Sequence, residues 1–382
     1  MTLKQALAQR AFIFSLDIPS GLSGLTGRPC PVAVRAHATV TFEAAKPGLV
    51  LPEAAPYTGR LHIRPIGIPA VARREHPASY QMITKAIAGA FPEAAPGWHK
   101  GTAGAILIVG GSEGLTGAPH LAARAALRAG GGLISVAAPH GLCRDIKADC
   151  PDIMTRALGP AGNVRWSPAL LEELLPFLRQ CGAMALGPGI GREPETAAFV
   201  QALLMCPSRP SAVVDADALH ALAMHPEALS SLRACDVLTP HPGEAATLLH
   251  TTPALVQADR FAALAGLRRL APSVWILKGA GTLIGTEGQP VTIAPYAEPN
   301  LAVGGSGDVL SGCLGTLMAQ TAAHPSEVCE SSSFLAACMG VHLHARAGRL
   351  LREAFPQRGN SATDIAEMLP RARIREAAGD GA

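Results

Sequence analysis

Aromatic residues make up only 4% of the 382 positions, and charged residues only 16%. This scarcity leaves Ala, Leu, Val and Ile as the main core-forming residues, packed closely through glycine turns. Hydrophobic residues still account for 48% of the chain, so there is enough apolar material for a core and wholesale disorder is excluded. The composition favours an α/β enzyme over a β-sandwich or an aromatic-rich binding module.

Other absences exclude further classes of protein. No apolar run reaches the length of about 18 residues that a membrane span needs. The short apolar stretch 11–16 stops at Asp17 with no small-residue cleavage site behind it, which argues against a secretory signal. The 32 basic and 29 acidic residues are scattered, whereas a nucleic-acid-binding protein shows a basic stripe. We therefore expect no export, no membrane association and no nucleic-acid partner.

The nine cysteines form no Cys-x-x-Cys pair, so neither a zinc ribbon nor a thioredoxin-type site is predicted. They are dispersed along the chain, at Cys30, Cys143, Cys150, Cys181, Cys206, Cys235, Cys313, Cys329 and Cys338. Most are expected to be small buried hydrophobes of a reducing compartment, which predicts a cytoplasmic protein.

Strands and helices alternate from Lys100 onwards. Ala105–Val109 predicts a buried strand, Pro119–Arg128 a helix and Leu133–Ala137 the next strand, which together make a βαβ unit of a parallel sheet. Further strands are predicted at Ala183–Leu186, Ala212–Val214, Val237–Leu238 and Val274–Leu277, a hairpin at Thr282–Ile284 and Val291–Ile293, and closing helices at Val309–Gln320 and Ser331–Ala347. The pattern predicts a doubly wound α/β domain over residues 100–376, with helices on both faces of the sheet.

Residues 1–69 are predicted to form a separate small α/β piece, with strands at Ala11–Ile18, Ala38–Phe42 and Leu61–Ile66. Residues 70–99 are expected to be a linker with a helix-like segment at Tyr80–Phe91 between proline-containing stretches. The last residues, Ala377–Ala382, are expected to fray.

The strongest functional signal is Gly304-Gly305-Ser306-Gly307-Asp308, which runs directly into an apolar helix. Glycines let a ligand approach the main chain closely, and the start of a helix offers unpaired N–H groups to an anion. We predict that the N–H groups of Gly305–Gly307 hold a phosphate while Asp308 acts on a hydroxyl beside it. The alternative is a structural turn in which Asp308 is the helix N-cap.

Small or ligand-capable residues also follow other predicted strands, which is where open α/β sheets bind ligands. These loops are Gly110–Ala118, Gly187–Gly191, Asp215-Ala216-Asp217, Thr239–Glu244 with His241 between two prolines, and Lys278–Thr282. Of the paired acids, we expect one to face the site or a magnesium ion and the other to cap the next helix. His342 and His344 lack metal-ligand spacing and are interpreted as structural. The chain has neither a dinucleotide-binding fingerprint nor a P-loop.

Taken in order, these motifs resemble those of the ADP- or ATP-dependent NAD(P)H-hydrate dehydratases, whose fold is ribokinase-like. The resemblance covers about Lys100 to Pro370 and is carried by KGTAGAILIVGG, ALGPGIG, VVDADAL, LTPHPGE, WILKGAGTLI and NLAVGGSGDVLSG. It implies that Asp308 is the catalytic residue beside the substrate's 6-hydroxyl and that Gly305–Gly307, with Ser306 between them, form the anion hole. It also implies contacts to the nicotinamide nucleotide from Ala118, Gly191, His241 and Asp308, and an ADP site lined by Lys278, Gly279, Ala280, Gly281 and Thr282.

The reaction implied by the resemblance restores NADH or NADPH from the hydrated forms, NADHX or NADPHX. The 6-hydroxyl is phosphorylated at the expense of ADP or ATP, with Mg²⁺ accompanying the nucleotide, and phosphate is then eliminated. The alternative is a ribokinase-like kinase of a hydroxymethyl group on a sugar or vitamin precursor, which leaves the His241 loop unexplained. A homo-oligomer is the expected assembly.

Residues 1–69 resemble instead the C-terminal end of an NAD(P)H-hydrate epimerase domain, through SLDIPSGLSGLTG and VRAHATVTFEAAKPGL. In that family a glycine-rich loop well upstream contacts substrate and K⁺, but only sixteen residues precede Asp17 here. We therefore expect Asp17 and Ser20 to be vestigial and the chain alone to have no epimerase activity. A K⁺ site is expected only with an intact epimerase domain.

Overall fold

A computed structural model of the chain describes residues 11–94, 96–324 and 332–374. The chain forms two compact units. The smaller unit contains the residues up to Met82 together with Ala280–Thr282 and Pro290–Ala297, and the larger unit contains Ile83–Gly279, Leu283–Gln289 and the chain from Glu298. The segment Ala377–Ala382 and Cys329 lie outside the described residues.

The strands are short, and most coincide with apolar segments. They are β1 (Phe14–Leu16), β2 (Ala38–Phe42), β3 (Arg60–Arg64), β4 (Tyr80–Met82), β5 (Ala105–Val109), β6 (Leu133–Pro139), β7 (Met154–Leu158), β8 (Ala183–Leu186), β9 (Ser211–Val214), β10 (Val237–Leu238), β11 (Val274–Leu277), β12 (Leu283–Gly285) and β13 (Val291–Ile293). The strands predicted between Ala105 and Leu277 are confirmed, with ends that differ by at most two residues, and β7 is an addition to them.

The helices begin and end as follows: α1 (Ala55–Thr58), α2 (Ala70–Glu75), α3 (Gly117–Arg128), α4 (Cys143–Lys147), α5 (Leu171–Leu178), α6 (Pro194–Met205), α7 (Asp217–Met224), α8 (Pro242–Leu248), α9 (Pro253–Ala258), α10 (Arg260–Leu270), α11 (Ser306–Ala323), α12 (Ser332–Leu350) and α13 (Ala362–Ala372). Short 3₁₀ turns occur at Pro47–Val50, Pro52–Ala54, Lys85–Ala90, His140–Leu142, Pro168–Leu170, Pro226–Ser231 and Pro299–Leu301. Among the described residues, no helix is both long enough and apolar enough to cross a bilayer.

In the larger unit the strands follow the spatial order β12-β11-β10-β9-β8-β5-β6-β7. All of these neighbours pair in parallel except β11 and β12, which are antiparallel. Every residue of β8 is buried, as are Ile106–Val109 of β5. Successive side chains of a strand point to opposite faces, so both faces of the sheet are covered here, as a parallel sheet requires.

The order of the strands reverses between β5 and β8. From β5 the chain continues outward through β6 and β7, and it then returns to place β8 on the other side of β5. A crevice opens at such a switch point because the loops after the two central strands turn to opposite sides of the sheet. The topology therefore places the loops after β5 and β8 on either side of the expected ligand crevice.

Helix α11 lies at the centre of the larger unit and packs against α3, α12 and the central strands β5 and β8. Its close approach to α3 depends on Gly312, where an added Cβ atom would come within 1.9 Å of the Ala122 carbonyl oxygen. Because interiors are packed to crystal-like density, this contact fixes the position of α11 and hence of the loop that precedes it.

The smaller unit contains a parallel three-stranded sheet in the order β1-β2-β3, with a small core of Leu22, Leu49 and Ala54. The same unit pairs β4 in parallel with β13. The helix-like segment predicted at Tyr80–Phe91 is therefore wrong at Tyr80–Met82, which forms β4, whereas Lys85–Ala90 forms a 3₁₀ helix. The partner strand lies 211 positions away at the Gln81–Thr292 contact, so the local pattern could not reveal it.

Candidate active site

The loops that follow β5 and β8 are tied together at the switch point. The Gly111 N–H donates to the Pro188 carbonyl at 3.0 Å, and the Ser112 hydroxyl donates to the Gly189 carbonyl at 2.9 Å. Ala118 lies in the first turn of α3, and its Cβ atom is 3.0 Å from the point that a Cβ atom on Gly189 would occupy. The fold therefore brings the Ala118 and Gly187–Gly191 loops, which are 70 positions apart in the sequence, into direct contact.

Asp217 anchors the far end of the Gly187–Gly191 loop. Its carboxylate accepts a hydrogen bond from the Gly191 N–H at 3.2 Å and one from the Arg192 guanidinium at 2.6 Å. The expectation that one of the paired acids caps the following helix is wrong for Asp217, because α7 begins at Asp217 with Ala216 as its N-cap and no side-chain cap bond. Asp217 binds the neighbouring loop instead.

Asp215 points away from that loop into a buried ion pair. Its carboxylate lies 2.7 Å from the Lys278 ammonium and accepts a hydrogen bond from the Ser311 hydroxyl at 2.5 Å. Burial raises the pKa of the Asp215 carboxyl, but the charge and hydrogen bond of Lys278 outweigh burial and hold the pKa below its usual range. For Lys278, burial lowers the pKa, and the charges of Asp215 and Glu244 outweigh it and raise the pKa. The pair is therefore ionised at neutral pH.

His241 and Glu244 form the N-terminal cap of α8. The Nδ1 atom of His241 accepts from the N–H groups of Gly243 and Glu244 at 2.9 and 3.3 Å, and the Glu244 carboxylate accepts from the His241 N–H at 2.7 Å. Burial and the Lys278 charge lower the pKa of His241. The ring is therefore neutral, and because Nδ1 accepts the cap bonds, Nε2 carries the proton.

Glu244 connects this cap to the ion pair. One of its carboxylate oxygens lies 3.7 Å from the Lys278 ammonium. Burial raises the pKa of Glu244 to about 7, with the Lys278 charge acting in the opposite direction. A continuous chain of polar contacts thus runs from His241 through Glu244 and Lys278 to Asp215.

The Gly304–Gly307 segment leads into α11 without a side-chain cap. Gly305 is the N-cap and has a φ of 88°, a left-handed conformation that favours glycine. Asp308 is the third residue of the helix, so the alternative reading of Asp308 as the N-cap is wrong. Within the described part of the chain, the N–H groups of Gly307 and Asp308 have no acceptor. Free N–H groups at the start of a helix of 18 residues favour an anion.

The carboxylate of Asp308 receives no hydrogen bond from any residue that the structure describes. Burial raises its pKa to about 7, and repulsion from Asp215 acts in the same direction. Lys278 opposes this shift, and Asp217 and Glu244 add to it. Asp308 is thus an unpaired carboxyl that changes its charge near neutral pH. Its pKa depends on the negative charges of Asp215, Asp217 and Glu244.

Gly307 lies beside the ion pair. A Cβ atom at this position would be 3.5 Å from the Lys278 ammonium and 3.6 Å from the Asp215 carboxylate, and the Ser311 hydroxyl also contacts the Gly307 carbonyl at 3.1 Å. A helix start with free N–H groups, a lysine ammonium and a titrating carboxyl therefore converge. This arrangement can hold a phosphoryl group and remove a proton from a hydroxyl beside it.

The remaining residues singled out in the sequence are distributed between the two units. The N–H of Lys278 donates to the Pro240 carbonyl, and the Arg260 guanidinium contacts the Leu277 and Lys278 carbonyls in the larger unit. Ala280, Gly281 and Thr282 belong to the smaller unit, where the Gly281 N–H donates to the Tyr296 carbonyl. Of the segment expected to line the ADP site, Lys278 and Gly279 thus belong to the larger unit and Ala280–Thr282 to the smaller one.

Asp17 and Ser20 also belong to the smaller unit. Asp17 follows β1 with a φ of 61°, and its carboxylate accepts from the Lys46 ammonium, the Thr41 hydroxyl and the Phe42 N–H. The hydrogen bond from Lys46, followed by that from Phe42, lowers the pKa of Asp17. Ser20 is exposed, and its carbonyl accepts from the Val34 N–H. Three hydrogen bonds to its Oδ1 atom thus stabilise Asp17 as an anion.

Two residues beside the site, Ser311 and Arg192, were missed by sequence reasoning. Ser311 lies one helical turn after Gly307, a spacing that could have predicted its place on the same side of the helix. No pattern in the sequence pointed to Arg192. His344, interpreted as structural, has its Nε2 atom 3.1 Å from the Ser306 hydroxyl, across 38 positions of sequence. Among the described residues, no group of three or more His, Cys, Asp or Glu side chains is arranged to hold a metal ion.

Comparison with solved structures identifies the class to which this fold and site belong. A ribokinase-like superfamily protein from Enterococcus faecalis superposes with a TM-score of 0.64 at 21% identity, covering 77% of this chain and 95% of that one. An ADP/ATP-dependent NAD(P)H-hydrate dehydratase from Bacillus subtilis, co-crystallised with ATP and Mg²⁺, superposes with a TM-score of 0.59 at 22% identity, covering 76% and 96%. The larger unit therefore has the ribokinase-like α/β fold.

Sequence comparison identifies the family. A family model described as NAD(P)H-hydrate dehydratase matches residues 106–371, and a model of YjeF-related protein N-termini matches residues 1–48. The bifunctional NAD(P)H-hydrate repair enzyme of Moorella thermoacetica is 40% identical over 359 residues, covering 93% of this chain and 66% of the relative. That of Escherichia coli is 32% identical over 369 residues, covering 97% and 67%. The chain belongs to the NAD(P)H-hydrate dehydratase family and spans about two thirds of the length of these relatives.

Proposed function

We propose that the chain dehydrates (6S)-NADHX and (6S)-NADPHX to NADH and NADPH at the expense of ADP or ATP. The observation that carries the proposal is the helix start at Gly305–Asp308, where free N–H groups lie beside an unpaired carboxyl whose pKa is raised to about 7. Membership of the dehydratase family and similarity to a dehydratase crystallised with ATP and Mg²⁺ support the same conclusion.

In the proposed mechanism Asp308 removes the proton of the 6-hydroxyl as the hydroxyl oxygen attacks the terminal phosphorus of the nucleotide. The bond from that phosphorus to its bridging oxygen breaks, so ADP leaves as AMP, or ATP as ADP. A base whose pKa lies close to the working pH is suited to this step. The free N–H groups at this helix start, those of Gly307 and Asp308 among them, stabilise the negative charge that develops on the transferring phosphoryl group. The C6–O bond then breaks, phosphate leaves with the bonding electrons, and the neighbouring carbon C5 loses a proton to solvent to form the C5–C6 double bond. Phosphorylation is useful because phosphate is a far better leaving group than hydroxide.

We assign the hydrated nicotinamide nucleotide to Ala118, Gly191, His241 and Asp308, and the phosphoryl donor to Lys278, Gly279 and Gly305–Gly307, all within the larger unit. The first assignment is supported by contact between the Ala118 and Gly187–Gly191 loops at the switch point. It is also supported by a neutral His241 whose side chain is 54% exposed, with its Nε2 atom 3.4 Å from the Glu244 carboxylate. The described residues contain no metal-binding cluster, so Mg²⁺ would bind mainly through the nucleotide's phosphates and would neutralise their charge.

The test is to incubate the protein with ADP or ATP, Mg²⁺ and chemically hydrated NADH, and to follow the absorbance of the reduced nicotinamide ring. We expect NADH to return only when nucleotide is present, and the Asp308→Asn variant to bind nucleotide while losing about 10²- to 10⁴-fold in kcat. A lack of NADH formation by a protein that stably phosphorylates a hydroxymethyl alcohol would favour the kinase alternative and refute the dehydratase.

A further inference from the structure

We infer that His344 is a positioning residue for the anion-binding loop Gly305–Gly307, acting through the hydroxyl of Ser306. The Nε2 atom of His344 lies 3.1 Å from the Ser306 Oγ atom, and both side chains are 8% exposed or less. This inference rests on the proposed function, because it assumes that the loop binds a phosphoryl group.

Ser306 is the one residue between Gly304 and Gly307 that has a side chain able to fix the segment. Glycines pay the largest entropic cost on ordering, so a loop of this composition does not hold its N–H groups in place unaided. Gly304 contacts nothing within 4 Å of an added Cβ atom, whereas the Ser306 side chain is buried against α12. The contact with His344 therefore anchors the loop on the side away from this open space.

His344 is suited to this task because it stays neutral. Burial lowers its pKa to about 4, and a hydrogen bond with the Ser306 main chain opposes the shift without reversing it. The ring therefore adds no charge to the site at neutral pH. The His344 residue is only 8% exposed, so its polar ring has little access to water, and the structure gives it Ser306 as a partner.

A merely structural role predicts loss of stability alone, whereas a positioning role predicts loss of phosphate binding. The decisive measurement is the Kd of ADP and of inorganic pyrophosphate by calorimetry, together with kcat and KM for the dehydration. We expect Ser306→Ala and His344→Leu each to weaken pyrophosphate and ADP about tenfold and to lower kcat. We expect His344→Gln, whose amide can still bond to Ser306, to stay within about threefold of the unmodified protein.

The matched control is Ser333→Ala. Ser333 lies at the start of α12, and its buried hydroxyl donates to the Cys235 carbonyl across 98 positions of sequence. The substitution should lower the melting temperature and leave both Kd values unchanged. The double variant Ser306→Ala/His344→Leu should bind pyrophosphate no more weakly than His344→Leu, since both changes act through one contact.

Unchanged Kd and kcat in Ser306→Ala and His344→Leu, with a loss of stability like that of Ser333→Ala, would overturn the inference. So would a failure of the unmodified protein to bind either pyrophosphate or ADP. If that protein binds ADP but does not dehydrate the hydrate, the proposed function fails, and the Kd comparison still decides whether His344 positions the loop.

Discussion

Adding one methyl group at Gly307 should separate phosphate binding from folding. The structure gives the geometry of the change: the new Cβ atom would lie 3.5 Å from the Lys278 ammonium and 3.6 Å from the Asp215 carboxylate, which are ordinary contact distances. Gly307 is the second residue of α11 and has no positive φ, so alanine fits its backbone. The methyl would fill the space between the helix start and Lys278, the two features that attract an anion.

The substitution should stabilise the fold and weaken the binding of ADP. Replacing a helical glycine by alanine stabilises a fold by about 0.5–1 kcal/mol, so Gly307→Ala should melt at or above the temperature of the unmodified protein. A charge-assisted hydrogen bond contributes about 1.5–3 kcal/mol. Since about 1.4 kcal/mol corresponds to a factor of ten, losing one such bond should weaken ADP binding about 10- to 100-fold.

Two neighbouring glycines provide the comparison. Gly315→Ala adds a methyl to the same helix, 3.4 Å from Ile106, and should retain ADP affinity. Gly305→Ala places alanine at a φ of 88° with its Cβ atom 2.6 Å from Leu121, so it should cost about 1–3 kcal/mol of stability as well as affinity. The assay is calorimetric titration with ADP beside thermal melting. If Gly307→Ala bound ADP as tightly as Gly315→Ala, the assignment of the phosphate to this helix start would be refuted.

Two further predictions concern charge and backbone strain. Because the pKa of Asp308 is raised to about 7, kcat/KM should rise with pH through that value as the carboxyl loses its proton. This rise in the pH profile should vanish in Asp308→Asn and persist in Glu244→Gln. Its persistence in Asp308→Asn would exclude Asp308 as the base. Ala216 has a φ of 51° and a ψ of −125°, a conformation that strains a residue with a side chain. Ala216→Gly should therefore raise the free energy of unfolding by about 1 kcal/mol in denaturant titrations. A loss of stability would show that the backbone is not strained there.

The sequence determined the features that depend on neighbours along the chain. The apolar segments from Ala105 to Leu277 specify buried strands because a strand needs only a short run of such residues, and the glycines before Asp308 specify a helix start that admits an anion. The order of the motifs indicated the dehydratase family, to which the chain belongs. Local pattern failed at Tyr80–Met82, where a strand partner 211 positions away decided the structure.

Only the tertiary structure decided how the motifs work together. It showed that Asp217 binds the Gly191 loop instead of capping its helix, that Asp215 pairs with Lys278, and that His344 reaches Ser306. These contacts join residues between 26 and 63 positions apart. A sequence records which groups are available, but the charge of Asp308 depends on burial and on the carboxylates packed around it, and both arise only when the chain is folded.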